Sequence, residues 1–103
     1  MTHAVVSFAN RIRQAQGLPA VAAVEPGMRG RPDDCALART IGGGAVVTER
    51  HTYAFGRRYR NPVRVRWWLR RFDRGEYPRL ATLRPTRRAS WHLDFDPATR
   101  AVA

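Results

Sequence analysis

The stretch NPVRVRWWLRRFDRG, residues 61–75, decides the fold. At about 100° per residue, Val65, Trp68, Leu69 and Phe72 fall at i, i+3, i+4 and i+7, on one face of a helix. That spacing predicts a helix over 61–74 with an apolar stripe that belongs to a core. Asn61 is expected as its N-cap. Pro62 would then stand at the first helical position, where its missing N–H costs nothing. Gly75 is expected as the C-terminal cap, and Pro78 prevents continuation. Trp67 points almost opposite to Trp68, alongside Val63, Arg70, Arg71 and Arg74. One tryptophan anchors a core, and the other stands among arginines.

The core that receives this stripe must come from the rest of the chain. In residues 3–16, Val5, Phe8, Ala9 and Ile12 repeat the same helical spacing, with Thr2 as a cap and Gly17 as a stop. Residues 17–32 read as loop, with AVAAV as a short extended piece. RPDDCALARTIGGG reads as a short second helix capped by Asp33 or Asp34. Leu37, Ala38 and Ile41 would be its buried stripe, and Gly42 to Gly44 would end it. Residues 45–55, AVVTERHTYAF, are β-branched and aromatic. They predict a hairpin of 45–49 and 51–56 turning near Glu49–His51, with one long bent strand as the competitor. Residues 84–103 are polar and contain proline, and WHLDFD would serve as an edge strand. The expected fold is α+β, with one domain over 1–83 and a tail or edge strand over 84–103.

A chain of 103 residues with 44% apolar content can bury one modest core. A single cysteine excludes an intramolecular disulfide and points to a reducing, cytoplasmic compartment. No apolar run approaches the ~20 residues of a membrane span, and no signal-peptide layout opens the sequence. The net charge is +11, and all 19 basic residues are arginine. Codon bias explains arginine over lysine; it does not explain the excess of charge. That excess is lopsided: residues 57–88 hold twelve arginines against Asp73 and Glu76, a net of +10. A field this concentrated attracts polyanions.

Three accounts compete for Trp67. WHLDFD covers it, with Asp94 and Asp96 neutralising nearby arginines. Or the ring is an exposed platform that stacks an unpaired base while guanidiniums hold phosphates. Or the helix lies on a membrane surface, an account weakened because the apolar face is needed by a small core. Other motifs are weaker. RGRP, Arg29 to Pro32, matches the core of a minor-groove AT-hook, yet Asp33 and Asp34 follow at once, and a loop leading into a helix cap is preferred. Cys35 near a helix N-terminus reads as a small buried thiol rather than a nucleophile, since none of His3, His51 and His92 is close in sequence. One cysteine and three scattered histidines make no zinc spacing. IGGG lacks the Gly-Lys-Ser/Thr of a phosphate loop. RRAS, Arg87 to Ser90, looks like a kinase site by chance.

Two segments together resemble a group of small proteins, without an assigned activity, encoded by high-GC actinobacteria and their phages. One segment carries Asp33, Cys35, Leu37 and Ala38. The other is a helix end with Phe72, Asp73, Gly75, Tyr77 and Pro78. The resemblance covers about half the chain; a proline commonly follows the cysteine in that pattern, where Ala36 stands here. It implies an origin and a layout, and no activity.

The expected function is therefore non-enzymatic, cofactor-free and metal-free binding of DNA or RNA, mainly through phosphate contacts with little sequence preference. Arg57, Arg58, Arg60, Arg64, Arg70, Arg71 and Arg74 are the expected phosphate contacts, and Trp67 the stacking platform. The alternative is docking on an acidic host protein, which a basic surface serves equally well. No membrane partner is expected.

Overall fold

The computed structural model describes residues 2–84. WHLDFD, with Trp91, Asp94 and Asp96, the RRAS motif, His92 and all of the expected tail beyond Arg84 lie outside the described residues.

The chain runs through helix α1 (His3–Ala15), helix α2 (Ala36–Ile41), strands β1 (Val46–Val47), β2 (His51–Ala54) and β3 (Arg57–Arg60), helix α3 (Val63–Asp73) and a 3₁₀ turn at Pro78–Leu80. The class is α+β. Val5, Phe8, Ala9 and Ile12 are the buried face of α1, and Val65, Trp68, Leu69 and Phe72 that of α3, as the spacing requires. The two helices pack with α2 around one core that also takes Val24, Val47 and Ala54. Trp68 lies between two parallel rings: Phe72 at 5.4 Å and Tyr77 at 5.3 Å.

The expected hairpin is present as β1 and β2, and the sheet extends it by one strand. The sheet is a three-stranded antiparallel meander, β1-β2-β3, in which RRYR forms the last strand. The second turn is Phe55–Gly56, with φ of +53° and +74°. Both values belong to the primed two-residue hairpin turn, which normally uses Asn-Gly or Asp-Gly. Phe55 accepts the left-handed region because its ring lies over Gly43, where an added Cβ would come within 2.4 Å of it. Thr52 pairs with Tyr59 on the inner face; His51 pairs with Arg60 and Tyr53 with Arg58 on the outer face. AVAAV forms bends rather than a strand, and only Val24 of it is buried.

The helix caps also differ from expectation. Thr2 holds the expected N-cap position of α1 but makes no side-chain cap bond. Cys35, not Asp33 or Asp34, caps α2, its Sγ accepting from the Ala38 N–H at 3.4 Å. Asp34 is instead buried completely and grips Arg39 through both carboxylate oxygens, at 2.7 and 3.0 Å. Asn61 does not cap α3, since Pro62 holds that position. The Asn61 side chain turns inward to the β1–β2 turn. Its Nδ2 donates to the Thr48 and Glu49 carbonyls at 2.8 and 3.1 Å, and its Oδ1 accepts from Thr52 Oγ1 at 2.6 Å. Gly75 follows the cap rather than forming it: Arg74 is the C-cap, and Gly75 at φ +83° closes a Schellman motif. Its N–H reaches the Phe72 carbonyl while that of Glu76 reaches Arg71, both at 3.0 Å.

The RGRP loop is docked on this helix end. Arg29 donates through Nε and a terminal nitrogen to the Asp73 carbonyl, and the Gly30 N–H reaches the Asp73 carboxylate at 3.1 Å. A cation on the last carbonyls suits the negative end of the helix dipole. Gly27 admits the loop: an added Cβ there would lie 2.2 Å from the Ala36 nitrogen.

Candidate nucleic-acid interface

The seven arginines expected as phosphate contacts divide into three groups. On the flank of α3 beside α1, Arg64, Trp67 and Arg71 line a cavity of about 390 Å³ with His3, Ala4, Trp68 and Tyr77. Trp67 is 60% exposed and Trp68 3%, so adjacent residues on one helix take opposite environments. The cavity floor is aromatic, from the Trp68–Tyr77 stack. Trp68 Nε1 and the Tyr77 hydroxyl are buried without a protein hydrogen-bond partner. Buried polar atoms of this kind are rare in folded chains. The described surface at this cavity thus combines an open indole and two guanidiniums over an aromatic floor.

The second group is held by carboxylates. Arg70 forms an ion pair with Glu49, and Arg74 pairs with Glu76 at 3.0 Å. The Arg70 guanidinium holds the Glu49 carboxyl below its ordinary value, and Arg50 and Arg66 add to that pull. These two expected phosphate contacts are therefore partly neutralised within the fold.

The third group lies on the sheet. Arg57 and Arg58 are exposed near the Phe55–Gly56 turn. Arg60 stands at the other end, opposite His51. Tyr53 is 43% exposed between Val46 and Arg58, and its ring centroid is 6.4 Å from that of His51. The outer face of the sheet thus carries two aromatic rings flanked by two guanidiniums.

The expected set is split between a helix flank and a sheet face rather than gathered on one surface. Four residues of the basic surface escaped sequence reasoning: Arg50, His51, Tyr53 and Arg66. The period-two alternation His51–Tyr53 and Arg58–Arg60 was the available signal, and it shows only once RRYR is recognised as a strand.

Cys35 is enclosed. Burial, the largest influence, pushes its thiol up to about 11, against weaker opposing bonds from the Ala38 and Leu37 backbone. It is protonated at neutral pH, and a protonated thiol is a poor nucleophile. Neither described histidine shares its cavity. Among the described residues, no three His, Cys, Asp or Glu side chains group closely enough to hold a metal ion. Among them too, no helix is long and apolar enough to cross a membrane.

Comparison with protein-family models, with curated proteins and with solved structures finds no match to this chain.

Proposed function

We propose that the protein is a non-enzymatic accessory protein that binds nucleic acid, with single strands favoured, mainly through phosphate contacts and with little sequence preference. The observation that carries this reading is the open Trp67 ring set between Arg64 and Arg71 over an aromatic-floored cavity. A base has a π-face whatever its identity, so stacking is tolerant of sequence, while guanidiniums beside the ring hold the backbone. The His51–Tyr53 pair with Arg58 and Arg60 on the sheet extends the same chemistry to a second surface. No Asn or Gln among the described residues lies on either surface to read base edges, which supports low specificity. The lone protonated thiol is compatible with a cytoplasmic setting.

The test is a titration of labelled single strand, duplex and an acidic protein at several salt concentrations. With ~4–6 phosphates engaged, log K for the single strand should fall against log salt with a slope of about −3 to −5. Tight binding of the acidic protein with no measurable affinity for any oligonucleotide at low salt would overturn this function in favour of docking on an acidic host protein.

A further inference from the structure

A separate cavity of about 260 Å³ is lined by Arg50, His51, Arg60 and Arg66, three guanidiniums and an imidazole. It is built from three elements. Arg50 belongs to the β1–β2 turn, His51 and Arg60 face each other across β2 and β3, and Arg66 comes from the first half of α3. Asn61 holds them together. Its side chain binds the turn at Thr48 and Glu49, and its backbone N–H donates to the Arg50 carbonyl at 2.8 Å.

Such a gathering opposes folding, because the three guanidiniums brought to one cavity repel one another. Among the described residues, no carboxylate lies within ion-pair distance of Arg50, Arg60 or Arg66. Glu49 is near enough to feel Arg50 and Arg66, but its carboxylate is engaged by Arg70. A second observation is independent of charge: the Nε–H of Arg66 is buried and finds no acceptor in the protein. A buried donor without an acceptor costs ~1–3 kcal/mol, which is recovered when the guanidinium turns towards a ligand oxygen in the cavity that it lines.

We propose that this cavity binds the terminal phosphate monoester of a nucleic-acid strand. A monoester carries about −1.5 to −2 charge at pH 7 and three strong acceptor oxygens. Three guanidiniums with an imidazole beside them match that charge and that number of oxygens. An internal phosphodiester offers one charge and two free oxygens, and leaves part of the cluster unsatisfied. The assignment rests on the nucleic-acid reading for the source of the phosphate, but not for the chemistry of the site.

The experiment compares oligonucleotides of one sequence that carry a 5′-phosphate, a 3′-phosphate or only hydroxyl ends, labelled internally and followed by anisotropy. A strand with a terminal phosphate should bind at least tenfold more tightly than the hydroxyl strand. Arg66→Gln and Arg60→Gln should abolish that advantage, whereas Arg64→Gln should weaken all three strands alike and keep it. In parallel, a nucleoside monophosphate should raise the melting temperature of the wild-type protein, and the nucleoside alone should not. Equal binding of all strands overturns the terminal-phosphate site and leaves the nucleic-acid function standing. Stabilisation by the monophosphate, lost in Arg66→Gln, with no oligonucleotide binding keeps a phosphomonoester site but overturns the strand as its ligand together with the nucleic-acid function. Stabilisation by inorganic phosphate equal to that by the monophosphate, with no preference among strands, assigns the cavity to the free ion and overturns the proposal.

Discussion

Arg39 and Arg66 are both partly buried arginines, and they stand for two populations in this molecule. Arg39 is a strut. It grips the fully buried Asp34 through both oxygens and also donates to the Pro26 and Arg84 carbonyls, so α2 is tied to the loop before it and to the segment after the 3₁₀ turn. Arg13 acts likewise, donating to the Ile41 and Pro19 carbonyls at 2.9 Å, and Arg29 ties its loop to the end of α3. Arg66 lines a cationic cavity with a donor that the protein leaves unused. Net charge counts the two populations equally. Arg39, Arg13 and Arg29 spend their donors inside the fold, whereas Arg66 keeps a buried donor unused, so its cavity is where function is to be sought.

The sharpest way to break this contrast is Arg39→Ala. It removes the bidentate partner of the buried Asp34 carboxylate and should cost ~3–5 kcal/mol in chemical denaturation. For a domain of this size that approaches the whole stability. A loss below 1 kcal/mol would mean that Arg39 is no strut. Trp68→Ala belongs to the same range, ~3–5 kcal/mol, because it empties the centre of a three-ring stack.

Cys35 extends the contrast to a buried group that lacks a charged partner. Its folded value is raised from 9.0 to about 11 by burial. The associated stability is complete below pH 9 and is lost as pH rises towards 11, by ~2–3 kcal/mol. Cys35→Ser keeps a cap acceptor but does not ionise, so its stability should fall less over that interval. Parallel profiles for the two proteins would show that the thiol is not held protonated by the fold.

Trp67→Ala should leave stability within about 0.5 kcal/mol and weaken single-strand binding by ~1–3 kcal/mol. The salt slope should stay nearly constant, because stacking releases no counterions. Iodide should quench Trp67 and spare Trp68, once Trp91 is replaced by Phe to remove its emission. Equal protection of Trp67 and Trp68 would place the second face of α3 inside the molecule and end the platform idea. The smallest effect is expected from Arg64→Ala. The salt slope should flatten by about one unit, with the melting temperature unchanged. A large drop in melting temperature instead would move Arg64 into the population of struts.

The helices were legible because their information is local. Val65, Trp68, Leu69 and Phe72 share a face by chain geometry alone, so the period of 3.6 residues decided both their burial and the separation of Trp67 from Trp68. The same holds for α1 and for the stop at Gly75, since a left-handed residue after the last turn is a glycine's position. The α+β class and the concentration of positive charge after residue 56 needed only composition and periodicity.

The tertiary structure decided whatever depends on two segments meeting. No local pattern announces that Phe55–Gly56 forms a tight turn, because Phe55 holds a positive φ through its ring's place over Gly43, twelve residues earlier. That turn made RRYR a strand, and the strand register then set Arg60 against His51 and Arg58 against Tyr53. Asn61 has the composition of a helix cap and the position of one. It became the clamp of the β1–β2 turn because a buried amide takes the partners that the packed chain presents, here the Thr48 and Glu49 carbonyls. Arg50, His51, Arg60 and Arg66 are brought to one cavity by that clamp and that register. Spacing along a chain reports which residues share a face of one element; which elements then face each other is settled by long-range hydrogen bonds and packing.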